Sequence, residues 1–572
     1  MKASEAAITS ILNSEHRLFP SSAAKSGLRP ISLLLIFLFT IASSPATERE
    51  DSISSVADTI SYAHLSLLPD SPIVREALPY RHIVTPPIRP DSADIRFKNE
   101  KHFWRAAAET VGFNIGLWAF DRYVLKGHYA YISWNSIKEN FRHGFEWDND
   151  HLQTNMFSHP YNGSIFYNAG RSNGYNFWQS ELFAISGSAM WELFMECEYP
   201  STNDIIATPI GGAALGEVFY RTSDLILDDR ATGGERFGRE FLSFLVNPMR
   251  GLNRIFSGAA WKRRTTSGRR FGIPPISVEV SLGARMLTGL YDNCRTRIGP
   301  AAEINIEYGQ RYEERSNAPY DYFSFLMEVQ TIRDQPLLSR IEIMGRLLGR
   351  EIVDAKRLHV NVGLYQHFDF LDSDTIGPGK ADKLHPFLPA AVPYKLGIPA
   401  CIGGGLMAKF TPNPKMSLDG YFHANSLILA GVLTDFYRKY HRNYNWGSGF
   451  ALKAGINWAL ADGRLLVQVA DQAYRVYTWM NKYDSELGSE LMVNVQGDKS
   501  RAWFNHFETS VSYRLWNNLF LTAGLDLYHR RTNYTDTLVK VYDDFGQPTS
   551  WTYQPQIDSN QLGIHFMLTY RF

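Results

Sequence analysis

The sequence predicts a mainly β protein: a transmembrane antiparallel β-barrel of about twelve strands preceded by an α-helical domain. From about residue 275 onward, apolar and polar side chains alternate with a period of two, and the connections alternate between short and long. The chain ends in QLGIHFMLTYRF, Gln561 to Phe572, which places its apolar side chains on one strand face and closes on an aromatic residue. An apolar outer face, a polar inner face and interfacial aromatics are typical of outer-membrane barrels.

An export signal is predicted at the N-terminus. Residues 31–41 form the apolar run ISLLLIFLFTI, which follows two basic residues and precedes the stretch ASSPA. This run is short for crossing a bilayer, so residues 1–46 are predicted to be a signal peptide, with a single inner-membrane anchor as the alternative. Residues 47–95 contain several prolines and little periodicity, which predicts a linker.

A helical domain is predicted over residues 96–272, because long apolar segments with few charges occur there. The predicted helices are residues 106–125, 177–198, 205–227 and about 238–257. The third contains ATPIGGAALGE, whose small residues would let helices approach closely. The high apolar content predicts that this domain packs against the barrel, enters a leaflet or has a large core of its own.

The barrel is predicted over residues 273–572. Its predicted strands are residues 276–287, 299–312, 320–333, 336–352, 358–371, 391–409, 415–433, 444–460, 464–480, 501–516, 519–534 and 560–572. Connections after even strands are mostly short, and connections after odd strands are mostly long. This is the pattern of short periplasmic turns and long outer loops. The two-residue connection after the third strand breaks it, so counts of ten or fourteen strands stay open. A sheet in lipid must close, because unpaired backbone groups at an open edge would each cost several kcal/mol.

Composition narrows the function classes. The formal net charge is zero, which gives no reason to expect a nucleic-acid partner. Three scattered cysteines form no zinc or disulfide pattern. Neither a nucleophile elbow nor a P-loop is present, and no cofactor is predicted. Aromatic residues make up 14% of the chain, which suits the aromatic girdles of a barrel.

Ionisable residues interrupt the apolar helices between residues 142 and 230 and form the candidate site. The candidate catalytic residues are His151, His159, Glu192 and Asp204. The candidate binding residues are Asp148, Arg171, Glu196, Glu217 and Arg221. Buried carboxylates need partners, and carboxylates beside histidines hold metals or carry out acid–base chemistry. The sequence leaves open whether a metal binds here.

Each candidate also has a structural interpretation. His159-Pro160 fits a capped turn, and His151 with a nearby aspartate fits a helix N-cap. Glu192 and Glu196, which are four residues apart, fit one solvated helix face. Arg171 fits a Gly/Asn-rich turn in which it binds a phosphate or satisfies carbonyl groups, and Glu217 with Arg221 fits a structural ion pair.

The same region resembles an uncharacterised domain-of-unknown-function family of Gram-negative envelope proteins. The matching pieces, over roughly residues 100 to 260, are DNDH, SHPYNG, FYNAGRSNGY, SAMWELFMECEYPSTND and PIGGAALGEVFYR. The resemblance implies an envelope location and often a C-terminal barrel. It implies no settled reaction, so no catalytic roles are carried over.

The sequence therefore predicts an exported outer-membrane protein in contact with outer-membrane lipid. The preferred function is a channel or structural barrel that the helical domain plugs, caps or anchors. One alternative is an outer-membrane enzyme that acts on lipid or lipopolysaccharide through the acidic and histidine residues. A second alternative is an envelope scaffold that binds a protein partner through its outer loops. The sequence does not determine the oligomeric state.

Overall fold

A computed structural model describes most of the chain beyond residue 99. The described residues are 100–148, 150–290, 294–312, 318–377, 391–435, 443–479, 498–535, 537–542, 548–553 and 556–572. The predicted signal peptide and linker lie outside these residues.

Twelve strands close into one antiparallel barrel, which confirms the predicted fold class and strand count. They are β1 (Ile276–Gly289), β2 (Arg297–Tyr308), β3 (Phe323–Gln330), β4 (Leu338–Ala355), β5 (Leu358–Asp372), β6 (Lys395–Asn413), β7 (Met416–Leu433), β8 (Tyr444–Leu460), β9 (Leu465–Thr478), β10 (Ser500–Trp516), β11 (Leu519–Tyr534) and β14 (Gln556–Arg571). A separate hairpin, β12 (Thr537–Tyr542) with β13 (Pro548–Tyr553), stands in the connection before β14, where the sequence predicted a loop. β3 is shorter than predicted, so its connection to β4 covers residues 331–337.

The two ends of the barrel differ in their connections. At one end, which we call the turn end, residues 356–357, 414–415 and 517–518 make two-residue turns. At the other, which we call the loop end, residues 373–394 and 479–499 make long connections. In bacterial outer-membrane barrels the short turns are on the periplasmic side and the long loops on the outer side, and the rule predicts the same orientation for these two ends.

The C-terminal strand closes the barrel as its alternation predicts. Leu568 of β14 pairs with Leu282 of β1 on one side and with Leu521 of β11 on the other. These three side chains are 43–49% exposed. They form an apolar outer surface suited to acyl chains.

The lumen is crossed by its own side chains. Arg340 of β4 donates to Glu508 of β10 over 2.8 Å, and these strands lie opposite each other in the ring of twelve. Gln472 of β9 donates across the lumen to Glu342 of β4 over 2.9 Å. A bond between opposite strands can only pass through the interior, so the barrel is bridged at this height.

More buried pairs surround the bridge. Arg285 donates to Tyr528 over 2.6 Å and lies 3.3 Å from Asp526. Lys453 donates to Asp369 over 2.6 and 2.7 Å. All five side chains belong to residues that are at most 4% exposed, so water has little access to them. In this part of the chain the interior is a packed polar core instead of an open pore.

The helical domain contains seven α-helices among the described residues. They are α1 (Phe103–Phe120), α2 (Trp134–His143), α3 (His159–Ser172), α4 (Phe177–Met190), α5 (Asp204–Ile226), α6 (Gly233–Val246) and α7 (Pro248–Phe256). One five-residue π-helical turn extends α1, another extends α4, and a third precedes α3. The fourth predicted helix is divided at Asn247, because Pro248 starts a new helix there. Within the described residues, no helix is both long and apolar enough to cross a membrane.

α3 corrects two sequence interpretations. Residues 152–158 are already helical, so His159-Pro160 lies within a helical segment instead of forming a capped turn. Arg171 lies in its last turn and not in a loop. The helix was missed because HPYNGSIFYNAGRS is rich in glycine and asparagine, which are weak helix formers.

The helical domain packs against the outer wall of the barrel. One row of wall residues crosses β2 to β7 through Ile306, Phe325, Ile343, Phe368, Ala400 and Leu429. These residues are at most 6% exposed and share one hydrophobic core with residues of α3 and α5. They point outward, because neighbours such as Arg340 and Asp369 point into the lumen.

Individual contacts place the domain along this wall. Gln366 of β5 donates to the carbonyl of Ile210 in α5 over 2.9 Å. The rings of Phe157 and Phe370 are 6.0 Å apart. The side chain of Met156 lies against Gly397 and Gly431, where a Cβ would collide with it. These contacts lie outside the lumen, so they do not support the predicted plug.

Candidate functional site

Seven ionisable residues meet at one edge of the helical domain, and we call them the carboxylate cluster. They are Asp148, Asp150, His159, Glu192, Glu196, Glu198 and Asp204. The loop after α2, the start of α3, the turn after α4 and the start of α5 supply them. Five of the predicted candidates meet here, and two residues that were not predicted as site residues, Asp150 and Glu198, join them.

Three members of the cluster lie close enough together to share a metal ion. One oxygen of Asp148, one oxygen of Asp150 and one ring nitrogen of His159 all lie within 4.8 Å of one another. Two carboxylates and an imidazole are ligands that Mn²⁺, Fe²⁺ and Zn²⁺ accept. The Nε2 atom of His159 is buried without a hydrogen bond in the described part of the chain. It lies 3.5 Å from Oδ2 of Asp204.

Polar neighbours fix the orientation of the carboxylates. The Asn155 amide donates to Oδ1 of Asp148 over 2.5 Å, and the backbone N–H of Ser201 donates to Oε2 of Glu192 over 2.7 Å. Asn203 donates through its side chain to Oδ1 of Asp204 over 2.9 Å. Such outer hydrogen bonds are what hold ligand carboxylates in place around metals.

The electrostatics of the cluster favour an added positive charge. Glu192 and Glu196 are hydrogen-bonded to each other, which requires a proton between them. Burial raises the pKa of Glu192 to about 8, and burial with the nearby Asp148 raises the pKa of Asp204 well above its ordinary value. Burial also lowers the pKa of His159, which keeps its imidazole neutral, the form that binds metals. A cation would relieve the repulsion that these carboxylates otherwise relieve by binding protons.

The cluster lies beside the loop end of the barrel and outside the lumen. Tyr444, the first residue of β8, accepts from the Asn155 amide over 2.7 Å and donates to the carbonyl of Asp150 over 3.1 Å. Trp147 packs on Trp446 and Trp479 with ring centres 5.5 and 5.1 Å away. Tyr444 and Trp446 are fully buried, so the cluster is packed against the outer wall of the barrel at its loop end.

Three other predicted site residues form a separate buried network. Glu217 is fully buried and accepts from Arg171, Arg221 and Tyr167, each over 2.8 Å. Arg221 also donates to the carbonyl of Pro319 over 2.8 Å, in the connection between β2 and β3. This network joins α3, α5 and the barrel, which fits the structural alternative stated for Glu217 and Arg221.

The remaining candidate, His151, has an exposed side chain. Its backbone carbonyl accepts from the backbone N–H of Asn155 over 3.1 Å. Asn155 and Ser201 were missed as site residues. Neither is ionisable, and each lies several residues from the nearest carboxylate in sequence, so only the fold shows their role. Asp150 stands beside His151 in the DNDH segment, where the sequence fits a helix N-cap formed by His151 with a nearby aspartate.

Comparison with known protein families gives a match inside the helical domain. Residues 144–249 match the model of a domain of unknown function, DUF3943. This match contains the carboxylate cluster and confirms the family resemblance for that region. No curated protein matches the chain.

Solved structures similar to the chain match about half of it. An outer-membrane channel from Pseudomonas putida F1 has 7% identity and a TM-score of 0.24, and the match covers 52% of this chain and 96% of the channel. The toluene transporter TodX of P. putida has 8% identity and a TM-score of 0.19, with 53% and 91% covered. The NanC porin has 8% identity and a TM-score of 0.21, with 51% and 99% covered. At these scores the likeness is limited to the presence of a barrel.

Proposed function

We propose that the protein is an outer-membrane enzyme in which the barrel is a sealed anchor and the helical domain carries a divalent-cation site that acts on lipid headgroups. The observation that carries this proposal is the position of Asp148, Asp150 and His159. These residues converge at the loop end of the barrel, outside the lumen. Lipid headgroups can reach that place, whereas a solute in the lumen cannot.

The reaction class that fits is hydrolysis of an ester in the headgroup region. A cation held by Asp148, Asp150 and His159 would supply a water of lowered pKa and would polarise the ester oxygen. Burial raises the pKa of Glu192 to about 8 and the pKa of Glu196 well above its ordinary value, so both carboxyls hold protons near neutral pH. A bound cation would lower both pKa values, and the Glu192–Glu196 pair, held next to Asp148 and Asp150, could then accept the proton of the attacking water. The same proton can then pass to the leaving oxygen.

Cation binding is tested with Mn²⁺ on the full chain in detergent, after removal of metals by a chelator. Electron paramagnetic resonance of free Mn²⁺ gives the number of ions bound. We expect one ion to be lost in the D148N/H159Q variant. The matched control is D354N/H359Q, because Glu351, Asp354 and His359 form a second group of the same composition at the turn after β4. Equal binding by the wild type and D148N/H159Q would refute the site.

The enzymatic part is tested on envelope lipids. The Mn²⁺-loaded protein is incubated with vesicles of phosphatidylethanolamine and lipopolysaccharide, and the products are separated by thin-layer chromatography and mass spectrometry. We expect a new product that disappears in E192Q, with folding judged by the Mn²⁺ titration. Unaltered lipids, together with unaltered envelope lipids in a deletion strain, would exclude the enzyme and leave a cation-binding protein.

A conduit is the second candidate, favoured by the polar lining of the lumen. Opening it requires rupture of the bond between Arg340 and Glu508, which crosses the barrel. In planar bilayers we expect the wild type to conduct poorly and R340A/E508A to conduct more. A wild-type conductance equal to that of the variant would show that the bridge does not seal the barrel.

A further inference from the structure

Two helices of the helical domain, α1 and α4, have large apolar residues on the outer face and polar residues on the inner face. In α1, Trp104 is 83%, Val111 41% and Ile115 47% exposed, whereas Thr110 and Asn114 are buried. The Asn114 amide donates to the carbonyl of Gly187 in α4 over 3.1 Å, so the polar face of α1 is directed into the domain. A helix that borders water has the opposite arrangement.

α4 repeats this polarity. Trp178 is 58%, Leu182 62% and Ile185 43% exposed, whereas Ser180 and Ser188 are buried. The exposed Ser186 hydroxyl donates to the carbonyl of Leu182 in the same helix over 2.7 Å, so it needs no water partner. Serine satisfies its hydroxyl in this way in apolar surroundings.

The wall residues that the domain covers show where α1 and α4 lie along the barrel axis. These residues border exposed apolar residues on the same strands and the same face. Phe368 of β5 is buried under the domain, while Leu364, four residues away, is 36% exposed. On β4, Ile343 is buried while Leu348 is 54% exposed. The domain therefore replaces lipid over part of the barrel's apolar band, which is about 25 Å tall.

The stacking order directs the apolar faces away from the barrel. α5 lies on β4, β5 and β6 and supports α3 and α4, and α1 packs on α3 and α4. α1 and α4 thus stand further from the barrel at the height of the band. Lipid acyl chains adjoin the uncovered wall, so the same acyl chains adjoin these helices.

We infer that the outer faces of α1 and α4, formed by Trp104, Val111, Ile115, Trp178, Leu182 and Ile185, are in direct contact with the acyl chains of the bilayer. The helical domain and the barrel then form one lipid-facing body. This inference is independent of the reaction proposed for the carboxylate cluster. It defines the partner of this surface as lipid and not as a second protein.

The test places nitroxide labels on the full chain in phospholipid vesicles, with the native cysteines replaced in C197S/C294S/C401A. Labels at I115C and L182C report on the two helices, L521C on the lipid-facing barrel wall, and R142C on an exposed polar site of α2. Oxygen concentrates in acyl chains and a nickel chelate stays in water. We expect the oxygen-to-nickel accessibility ratio at I115C and L182C to match that at L521C and to exceed that at R142C several-fold.

Two outcomes would overturn the inference. A ratio at I115C and L182C equal to that at R142C would place these faces in water. Dipolar broadening at L182C that disappears on dilution with unlabelled protein would show that a second copy covers the surface. Folding of each variant is checked by the heat-dependent gel mobility of the barrel, and a second label pair at V111C and W178C replaces any variant that fails it.

Discussion

Removal of the charge of Glu217 should open the helical domain while the barrel remains folded. Glu217 is fully buried and accepts four hydrogen bonds, two of them from Arg171 and the others from Arg221 and Tyr167. In E217Q, two buried guanidinium groups lose their shared counter-charge, and the new amide directs its own N–H groups toward them. Removal of one partner from a buried ion pair costs about 3–5 kcal/mol.

A loss of this size is large against the stability of a domain, which is about 5–15 kcal/mol. At 1.36 kcal/mol for each factor of ten, the population of the open helical domain should rise by roughly two to four orders of magnitude. Hydrogen exchange with mass spectrometry, on the protein in nanodiscs, measures this opening free energy. Peptides from α3 and α5 should exchange faster, and peptides from β10 and β11 should not change.

The matched control is E235Q. Glu235 also accepts from an arginine four residues away, Arg239, over 2.8 Å, but its side chain is 61% exposed. An exposed pair of this kind contributes at most about 0.5 kcal/mol. Equal effects of E217Q and E235Q would refute the buried network as a source of stability. The triple variant E217L/R171M/R221M should recover most of the loss, because an apolar replacement leaves no buried charge unpaired.

Two further predictions concern packing. Gly212→Ala should lower the opening free energy of the helical domain by about 1–3 kcal/mol, because the added Cβ would lie 2.5 Å from the carbonyl carbon of Gly163. Gly238→Ala should raise helix stability by up to about 1 kcal/mol, because the space around Gly238 is open. Hydrogen exchange distinguishes these signs, and a loss in both variants would contradict the close approach. Phe368→Ala should cost about 3–5 kcal/mol of docking free energy, since this ring is fully buried between β5 and α5. Phe566 faces outward and is 60% exposed, so Phe566→Ala should leave hydrogen exchange in the helical domain unchanged. Equal effects of Phe368→Ala and Phe566→Ala would show that the domain does not pack on this wall.

The barrel could be predicted from the sequence because strand alternation is a local property. From Leu562 to Tyr570 every outward residue of β14 is apolar, and the inward residues other than Met567 are small or polar; this pattern needs no knowledge of the rest of the chain. The strand count followed from the same pattern. The position of the helical domain could not be predicted, because Ile343 under α5 and Leu521 in lipid are both outward apolar residues. The alternation is identical for a wall covered by protein and a wall covered by lipid.

α3 shows a different limit of sequence reasoning. Its glycines lower helix propensity, and the segment therefore looked like a turn. In the structure, Gly163 lies against Thr208 of α5, and Gly170 lies against Ser180 and Phe183 of α4, where a Cβ would collide. Close packing between helices required glycine at these positions, and tertiary contacts outweighed local preference.

The candidate site was partly predictable for a related reason. Glu192 and Glu196 share a short segment, so their spacing was visible in the sequence, as was that of Asp148 and His151. Their meeting depends on the turn after α4 folding back to the loop after α2, where the backbone of Glu146 pairs with that of Ser201. The sequence also grouped Arg171 with this site, although the arginine belongs to the buried network around Glu217.

The polarity of the two parts of the protein explains why the helical domain stands beside the barrel and not inside it. The lumen is lined by charged groups such as Arg340, Glu508 and Asp369, so a plug would need a polar exterior to pair with them. The helical domain has the reverse, with Asn114 and Glu217 inside and apolar faces outside. The barrel wall and the outer faces of α1 and α4 require the same apolar surroundings. When the helical domain packs beside the barrel in one bilayer, both surfaces have apolar surroundings. Insertion of the domain into the lumen would instead bury the charged lumen groups against apolar helices, which offer them no partners.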